Sequence, residues 1–134
     1  MANEETVVPI HSEYEIVTAR HKVREICSKL GFSSAEQTLV ATAVSELARN
    51  IVEYAKSGEI IIQLVNSNER KGIVITARDK GPGIPNIELA MKDGYSTSNG
   101  LGLGLPGSKR IMDEFEITSQ VGKGTTVIIK KWKY

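Results

Sequence analysis

The chain has 134 residues, 40% hydrophobic and 25% charged, the size and composition of one globular domain with a modest core. With 17 basic residues against 16 acidic ones it carries no electrostatic footprint for nucleic acid or an anionic membrane. Cys27 is the only cysteine, which excludes a disulfide framework and a Cys-based metal site.

Met1-Ala2-Asn3-Glu4-Glu5 is acidic and has no apolar h-region, so no signal peptide is read there, and no apolar run is long enough to span a bilayer. A reducing, cytoplasmic setting is the expectation. Thr6-Val7-Val8-Pro9-Ile10 reads as a short edge strand, because Pro9 cannot donate to a central ladder. Ser12 with Glu15 forms a capping box that opens a helix. Its apolar stripe is Ile16, Val17, Val23, Ile26, Cys27 and Leu30, which makes Cys27 a buried thiol. Leu30-Gly31-Phe32 ends it, with Gly31 at the left-handed position and Phe32 available for the Schellman contact.

Ser33 with Glu36 opens a second helix in the same way, with Val40, Ala43, Val44, Leu47, Ala48, Ile51 and Ala55 as its stripe and Gly58 as its end. Two β-branched runs follow, over 59–65 and 72–77, and the polar link 66–71 predicts a hairpin between them. The stretch 79–105 is rich in Gly, Pro, Ser and Asn, with a short helix predicted over 87–91; long irregular loops in compact domains are usually functional. A helix is predicted over 105–113. Strands at 115–119 and 125–130 follow, joined by a turn at Gly122-Lys123-Gly124. There is no repeat and no linker, so residues 1–134 read as a single domain. Helices early and hairpins late predict a two-layer α/β sandwich, helices on one face of a mixed β-sheet.

Four places carry chemistry. Glu46, Arg49, Asn50 and Glu53 recur at i, i+3, i+4 and i+7 and share one helical face, roughly opposite the apolar stripe. An amide oxygen at Asn50 together with phosphate oxygens can hold Mg2+, which wants oxygen ligands and keeps waters. The carboxylate of Glu46 can orient or deprotonate an attacking hydroxyl. Asp79 follows a strand directly; a carboxylate there can accept a hydrogen bond from an exocyclic amine. Gly81 and Gly83 let the backbone pass close beneath a flat ring. Gly100, Gly102, Gly104 and Gly107 precede a predicted helix and can present N–H groups to phosphates, while Lys109 and Arg110 either touch phosphate or complement the helix. Gly124-Thr125-Thr126 opens the last strand, where a threonine hydroxyl can reach a purine directly or through water.

Taken singly, these are also what a solvated helix face, a plain turn and a strand-forming threonine look like. Gly102-x-Gly104-x-x-Gly107 matches the dinucleotide fingerprint by letter, but Tyr95-Ser96-Thr97-Ser98-Asn99 precedes it where a buried strand is required. It is not a Walker A loop either, since Ser108-Lys109 follows where Gly-Lys-Ser/Thr is needed. His11 and His21 show no metal-ligand spacing.

The order of these motifs from Glu46 to Thr126 resembles the GHKL ATPase superfamily, which has the Bergerat ATP-binding fold. Within it the chain is similar to the small serine/threonine switch kinases of bacterial partner-switching systems, those of the stressosome in particular. Ser45-Glu46-Leu47-Ala48-Arg49-Asn50, Asp93-Gly94-Tyr95-Ser96-Thr97-Ser98, Leu105-Pro106-Gly107-Ser108-Lys109-Arg110 and Met112-Asp113-Glu114-Phe115 carry that narrower match. The resemblance implies Glu46 as general base, Asn50 as the Mg2+ ligand and Asp79 as the adenine-amine acceptor, with Gly81 and Gly83 beneath the ring. It implies Gly100, Gly102 and Gly104 in a phosphate-covering lid with residues 93–99, and Thr126 beside the adenine. It further implies ATP and Mg2+ as cofactors and STAS-domain scaffold proteins as substrates. A PP2C-type phosphatase would be the target that the kinase then binds and activates. Three alternatives share the nucleotide motifs: an anti-sigma factor kinase that sequesters a sigma factor, a non-catalytic ATP-binding module, and a detached histidine-kinase ATPase domain. Glu46 argues against the second, and the absence of a phospho-accepting histidine helical domain argues against a self-contained histidine kinase.

Overall fold

A computed structural model describes residues 5–67, 70–83 and 112–133. In chain order these are β1 (Glu5–Ile10), α1 (Glu13–Leu30), α2 (Ser34–Asn50), a π-helical turn (Ile51–Ala55), β2 (Gly58–Ser67), β3 (Arg70–Asp79), β4 (Glu114–Gln120) and β5 (Gly124–Trp132).

Local chemistry sets the helix ends. Glu15 accepts the Ser12 and His11 backbone N–H groups at the start of α1. Ser33 Oγ accepts the Glu36 N–H at 3.1 Å and Glu36 returns the bond to the Ser33 N–H at 3.0 Å, so the box at α2 is reciprocal. At the end of α1, Phe32 N–H donates to the Cys27 carbonyl and Gly31 N–H to Ser28, with Gly31 at φ 90°; this is the Schellman pattern, and Phe32 is buried. The end of the second helix differs from the expectation. Lys56, at φ 70°, follows the π turn, and Gly58 is already the first residue of β2.

The sheet order is β1-β2-β3-β5-β4, and every described pairing is antiparallel. The two-layer sandwich is as expected, while its sheet is antiparallel rather than mixed. The reason is the pair of helices between β1 and β2: α1 runs back and α2 forward again, so the chain re-enters the sheet opposed to β1. Pro9 lies on β1, at the sheet's edge, as its missing donor requires. The β2–β3 hairpin is tighter than the predicted 66–71 link, with pairing out to Ser67 and Arg70. Met112 and Asp113, the end of the predicted 105–113 helix, are not helical; the rest of that segment and the helix predicted over 87–91 lie outside the described residues.

One face of the sheet is covered by the helices. Ile10, Ile60, Ile62, Ile73, Ile75 and Ile129 from the strands meet Ala19, Val23 and Cys27 of α1 and Val40, Val44 and Leu47 of α2 in a single core. The small side chains of Ala41, Ala43, Ser45 and Ala48 allow α2 to sit deep against its neighbours. Ser45 Oγ answers its own burial by donating to the Ala41 carbonyl at 2.9 Å. Among the described residues no helix is long and apolar enough to cross a membrane.

Candidate functional site

The ends of four elements meet at one edge of the core. Gly58, which opens β2, pairs with Asp79, which closes β3. Asp79 Oδ1 accepts the Gly81 backbone N–H at 2.8 Å and the Thr125 backbone N–H at 3.3 Å. One carboxylate oxygen therefore ties the segment after β3 to the start of β5. Among the described residues no donor is assigned to Oδ2, which leaves an acceptor for a ligand.

Gly81 lies where this segment passes the helix end. A Cβ there would stand 2.5 Å from Cβ of Ala55, so only glycine lets the backbone run so close to the π turn. Gly124 is constrained on two counts: its φ is 119°, and a Cβ would meet the Asp79 carbonyl oxygen at 2.2 Å. Gly83 rests on the Gln120 backbone, and Gly122 N–H donates to the Pro82 carbonyl at 2.8 Å. The loop after Asp79 is thus held between the helix end on one side and the β4–β5 turn on the other.

Asn50 is the last residue of α2, and its side-chain oxygen is buried. Glu46, one turn earlier, and Arg49 are half-buried, and Glu53 is exposed. Residues 46–55 cover roughly 13 Å along the axis, so Glu46, Asn50 and the Ala55–Gly81 contact form a line of steps from the helix body to the loop. A π turn at this point widens the helix by one residue per turn, a feature often found at functional sites. It carries Tyr54, whose Oη is buried with no hydrogen-bond partner among the described residues. Desolvation, and next the Glu53 charge, push the Tyr54 phenol above its usual pKa and keep it neutral.

The alternation of β5 separates the two threonines that open it. Val127 and Ile129 point into the core, so Thr125 shares their face and Asp79's. Thr126, paired with Arg78 and Thr118, lies on the opposite face, away from Asp79. Thr125 is therefore the threonine beside the carboxylate, and counting back in steps of two from Val127 would have found it. Its Oγ1 lies 2.8 Å from Ser119 Oγ, a neighbour that sequence reasoning did not single out.

Glu46, Asn50, Asp79, Gly81 and Gly83 are all described; the structure joins Asp79 to Gly81, and Gly81 to the end of the helix that carries Glu46 and Asn50, while Gly83 rests on the Gln120 backbone. Gly100, Gly102, Gly104 and Lys109 lie outside the described residues. Among the described residues no group of three or more His, Cys, Asp or Glu side chains gathers as a metal site. The amide oxygen of Asn50 is of the donor type that Mg2+ takes.

Residues 35–133 match the family described as histidine kinase-, DNA gyrase B-, and HSP90-like ATPase. The chain is 49% identical over 130 residues to the serine/threonine-protein kinase RsbT of Bacillus subtilis, covering 97% of this chain and 98% of that one. It is 33% identical over 117 residues to the anti-sigma F factor of Clostridium kluyveri, covering 84% and 82%. In fold it is similar to the catalytic domain of the histidine kinase ThkA, with a TM-score of 0.53, 16% identity and coverage of 98% and 95%.

Proposed function

The chain belongs to the histidine kinase-, DNA gyrase B- and HSP90-like ATPase family, and from that premise we propose that it is an ATP-dependent serine/threonine protein kinase of a bacterial partner-switching pathway. The observation that carries the reading is the Asp79 carboxylate, fixed through Oδ1 by two backbone amides with Oδ2 left for an adenine amine. The similarity to RsbT across nearly the whole of both chains supports the kinase activity and residues 1–134 as one kinase domain.

The parts divide as follows. Asp79 Oδ2 accepts the purine amine, and Gly81 and Gly83 leave room for the flat ring. Thr125, not Thr126, stands beside them. Asn50 holds Mg2+ through its amide oxygen. When bound, Mg2+ neutralises phosphate charge. Gly100, Gly102, Gly104 and Lys109 serve the phosphates. Glu46 lies roughly 13 Å along the helix from Ala55, which supports giving it the chemistry rather than the base. Glu46 takes the proton of a substrate Ser or Thr hydroxyl. The hydroxyl oxygen then bonds to the γ-phosphorus while the bond to the β-phosphate oxygen breaks and ADP leaves. Positioning and charge neutralisation dominate such a transfer.

The substrates are STAS-domain scaffold proteins of a stressosome, and the released kinase then binds and activates a PP2C-type phosphatase, in the cytoplasm. An anti-sigma factor kinase is the second reading, favoured by the 33% identity with the anti-sigma F factor. Recovery of a sigma factor rather than a phosphatase from the same cells would select it.

The test is transfer of the labelled γ-phosphate of ATP, with Mg2+, to a STAS-domain protein of the same cell, with Glu46→Gln as control. Acid-stable label on Ser or Thr that disappears in Glu46→Gln while ATP binding persists is the expected result. Undiminished transfer by Glu46→Gln removes Glu46 from the base role, and tight Mg-ATP binding with no transfer to any STAS-domain protein removes the kinase reading.

A further inference from the structure

We propose that Ser119 sets the base specificity of the nucleotide site by fixing the direction of the Thr125 hydroxyl. The inference rests on the reading of Asp79 as acceptor of the purine amine.

Ser119 Oγ lies 3.1 Å from the Gly124 carbonyl oxygen and 2.8 Å from Thr125 Oγ1. A carbonyl has no proton to give, so Ser119 is the donor to Gly124. A serine hydroxyl has one proton, so the bond between the two hydroxyls is made with the proton of Thr125, and Ser119 accepts it. Thr125 Oγ1 then has only lone pairs left for anything on its other side. The Thr125 backbone N–H is committed as well, to Asp79 Oδ1, together with the Gly81 N–H. Among the described residues, the hydroxyl protons of Ser119 and Thr125 and the backbone amide protons of Thr125 and Gly81 are all committed. What remains outward, Asp79 Oδ2 and Thr125 Oγ1, is acceptor only.

With Asp79 Oδ2 and Thr125 Oγ1 on one face of the sheet and both offering only lone pairs, the site takes an exocyclic amine and repels a carbonyl oxygen, so it selects a 6-aminopurine over a 6-oxopurine. Ser119 is a positioning residue: it holds a neighbour that faces the ligand. Without its hydroxyl the Thr125 proton is free to turn outward. A rotating hydroxyl donates as readily as it accepts. The penalty against the 6-oxo group falls, while the amine keeps its main acceptor on Asp79.

The experiment measures the affinities of the whole chain for ATP and for inosine triphosphate, with Mg2+, by calorimetry. The two nucleotides share sugar and phosphates and differ at the purine 6 and 1 positions. In Ser119→Ala the ATP-to-inosine-triphosphate preference should narrow about tenfold, mainly through tighter binding of the inosine nucleotide, and Ser119→Thr, which keeps a hydroxyl, should retain the preference. An unchanged preference in folded Ser119→Ala overturns the proposal. If Ser119→Ala does not fold, Thr125→Val decides: it should narrow the preference through loss of ATP affinity, and an unchanged preference again overturns the proposal. A native protein with no preference for ATP overturns the Asp79 reading itself. A native preference that survives both substitutions overturns the role of Ser119 alone.

Discussion

Asp79 and Thr125 are 46 residues apart in sequence and joined by a hydrogen bond of 3.3 Å, from the Thr125 backbone N–H to Asp79 Oδ1. That bond fixes which carboxylate oxygen is spent on structure and which is left for a ligand. Asp79→Asn tests the division. The amide oxygen can take over Oδ1's two backbone bonds, which turns the NH2 group outward against an incoming amine. Folding should survive, and nucleotide affinity should fall by about tenfold to a hundredfold, the scale of one hydrogen bond to a charged group. Calorimetric titration with Mg-ATP measures it; an unchanged affinity would count against the adenine assignment.

Thr125→Val and Thr126→Val differ by one position and by the whole thickness of the sheet. The first should lower nucleotide affinity by several-fold to about tenfold, the range of a neutral hydrogen bond, and the second should leave it alone. Strand alternation alone makes this prediction. The reverse result would mean that the nucleotide meets the outer face, where Thr126 pairs with Arg78 and Thr118.

Gly81→Ala should destabilise the fold by roughly 1–3 kcal/mol, because its Cβ would press on Ala55 at 2.5 Å and neither the strand end nor the helix end can yield freely. Ala55→Gly in the same chain removes one of the two clashing atoms and should recover part of the loss. The Ala55 Cα, 2.8 Å from the added Cβ, keeps the recovery incomplete. Urea unfolding of the two single variants and the double variant reads the coupling; strict additivity would show that the close approach is not what requires glycine.

The sequence was most legible where structure is local. Ser12 with Glu15, Ser33 with Glu36 and Gly31 with Phe32 each mark a helix end with residues a few positions apart, and each stands as read. Glu46, Asn50 and Asp79 were singled out by spacing, and the structure shows where they lie: two on α2 and one at the end of β3. What failed needed a partner distant in sequence. The sheet's pairing directions depend on the double helical return between β1 and β2, and Gly58 is a glycine because it meets Arg78 and Asp79 across a ladder rather than because a helix stops there. The Ser119–Thr125 bond crosses the β4–β5 turn and carries no composition signal. The face of Thr126, away from Asp79, was legible in the sequence itself, since Val127 and Ile129 already define the core face.

Cys27 gives a prediction that is independent of the site. It is fully buried, and its thiol is pushed from 9.0 up to about 12, chiefly by desolvation; Arg24 pulls it down and Glu36 raises it to lesser extents. In the unfolded chain the same thiol ionises near its ordinary value. Between those two values the unfolded state holds fewer protons than the folded state, so stability falls as pH rises, by up to about 1.4 kcal/mol per pH unit. Below the unfolded value the contribution is fully present. Urea unfolding at about pH 8 and about pH 10 should therefore show native stability dropping by roughly 1 kcal/mol more than that of Cys27→Ala, in which this ionisation is absent. The folded thiol should also resist a thiol-specific reagent at about pH 8 and react once urea exposes it, because the thiolate is the nucleophile and burial suppresses it. Parallel stability curves for the two proteins, or rapid labelling of the folded chain, would show that Cys27 is open to solvent.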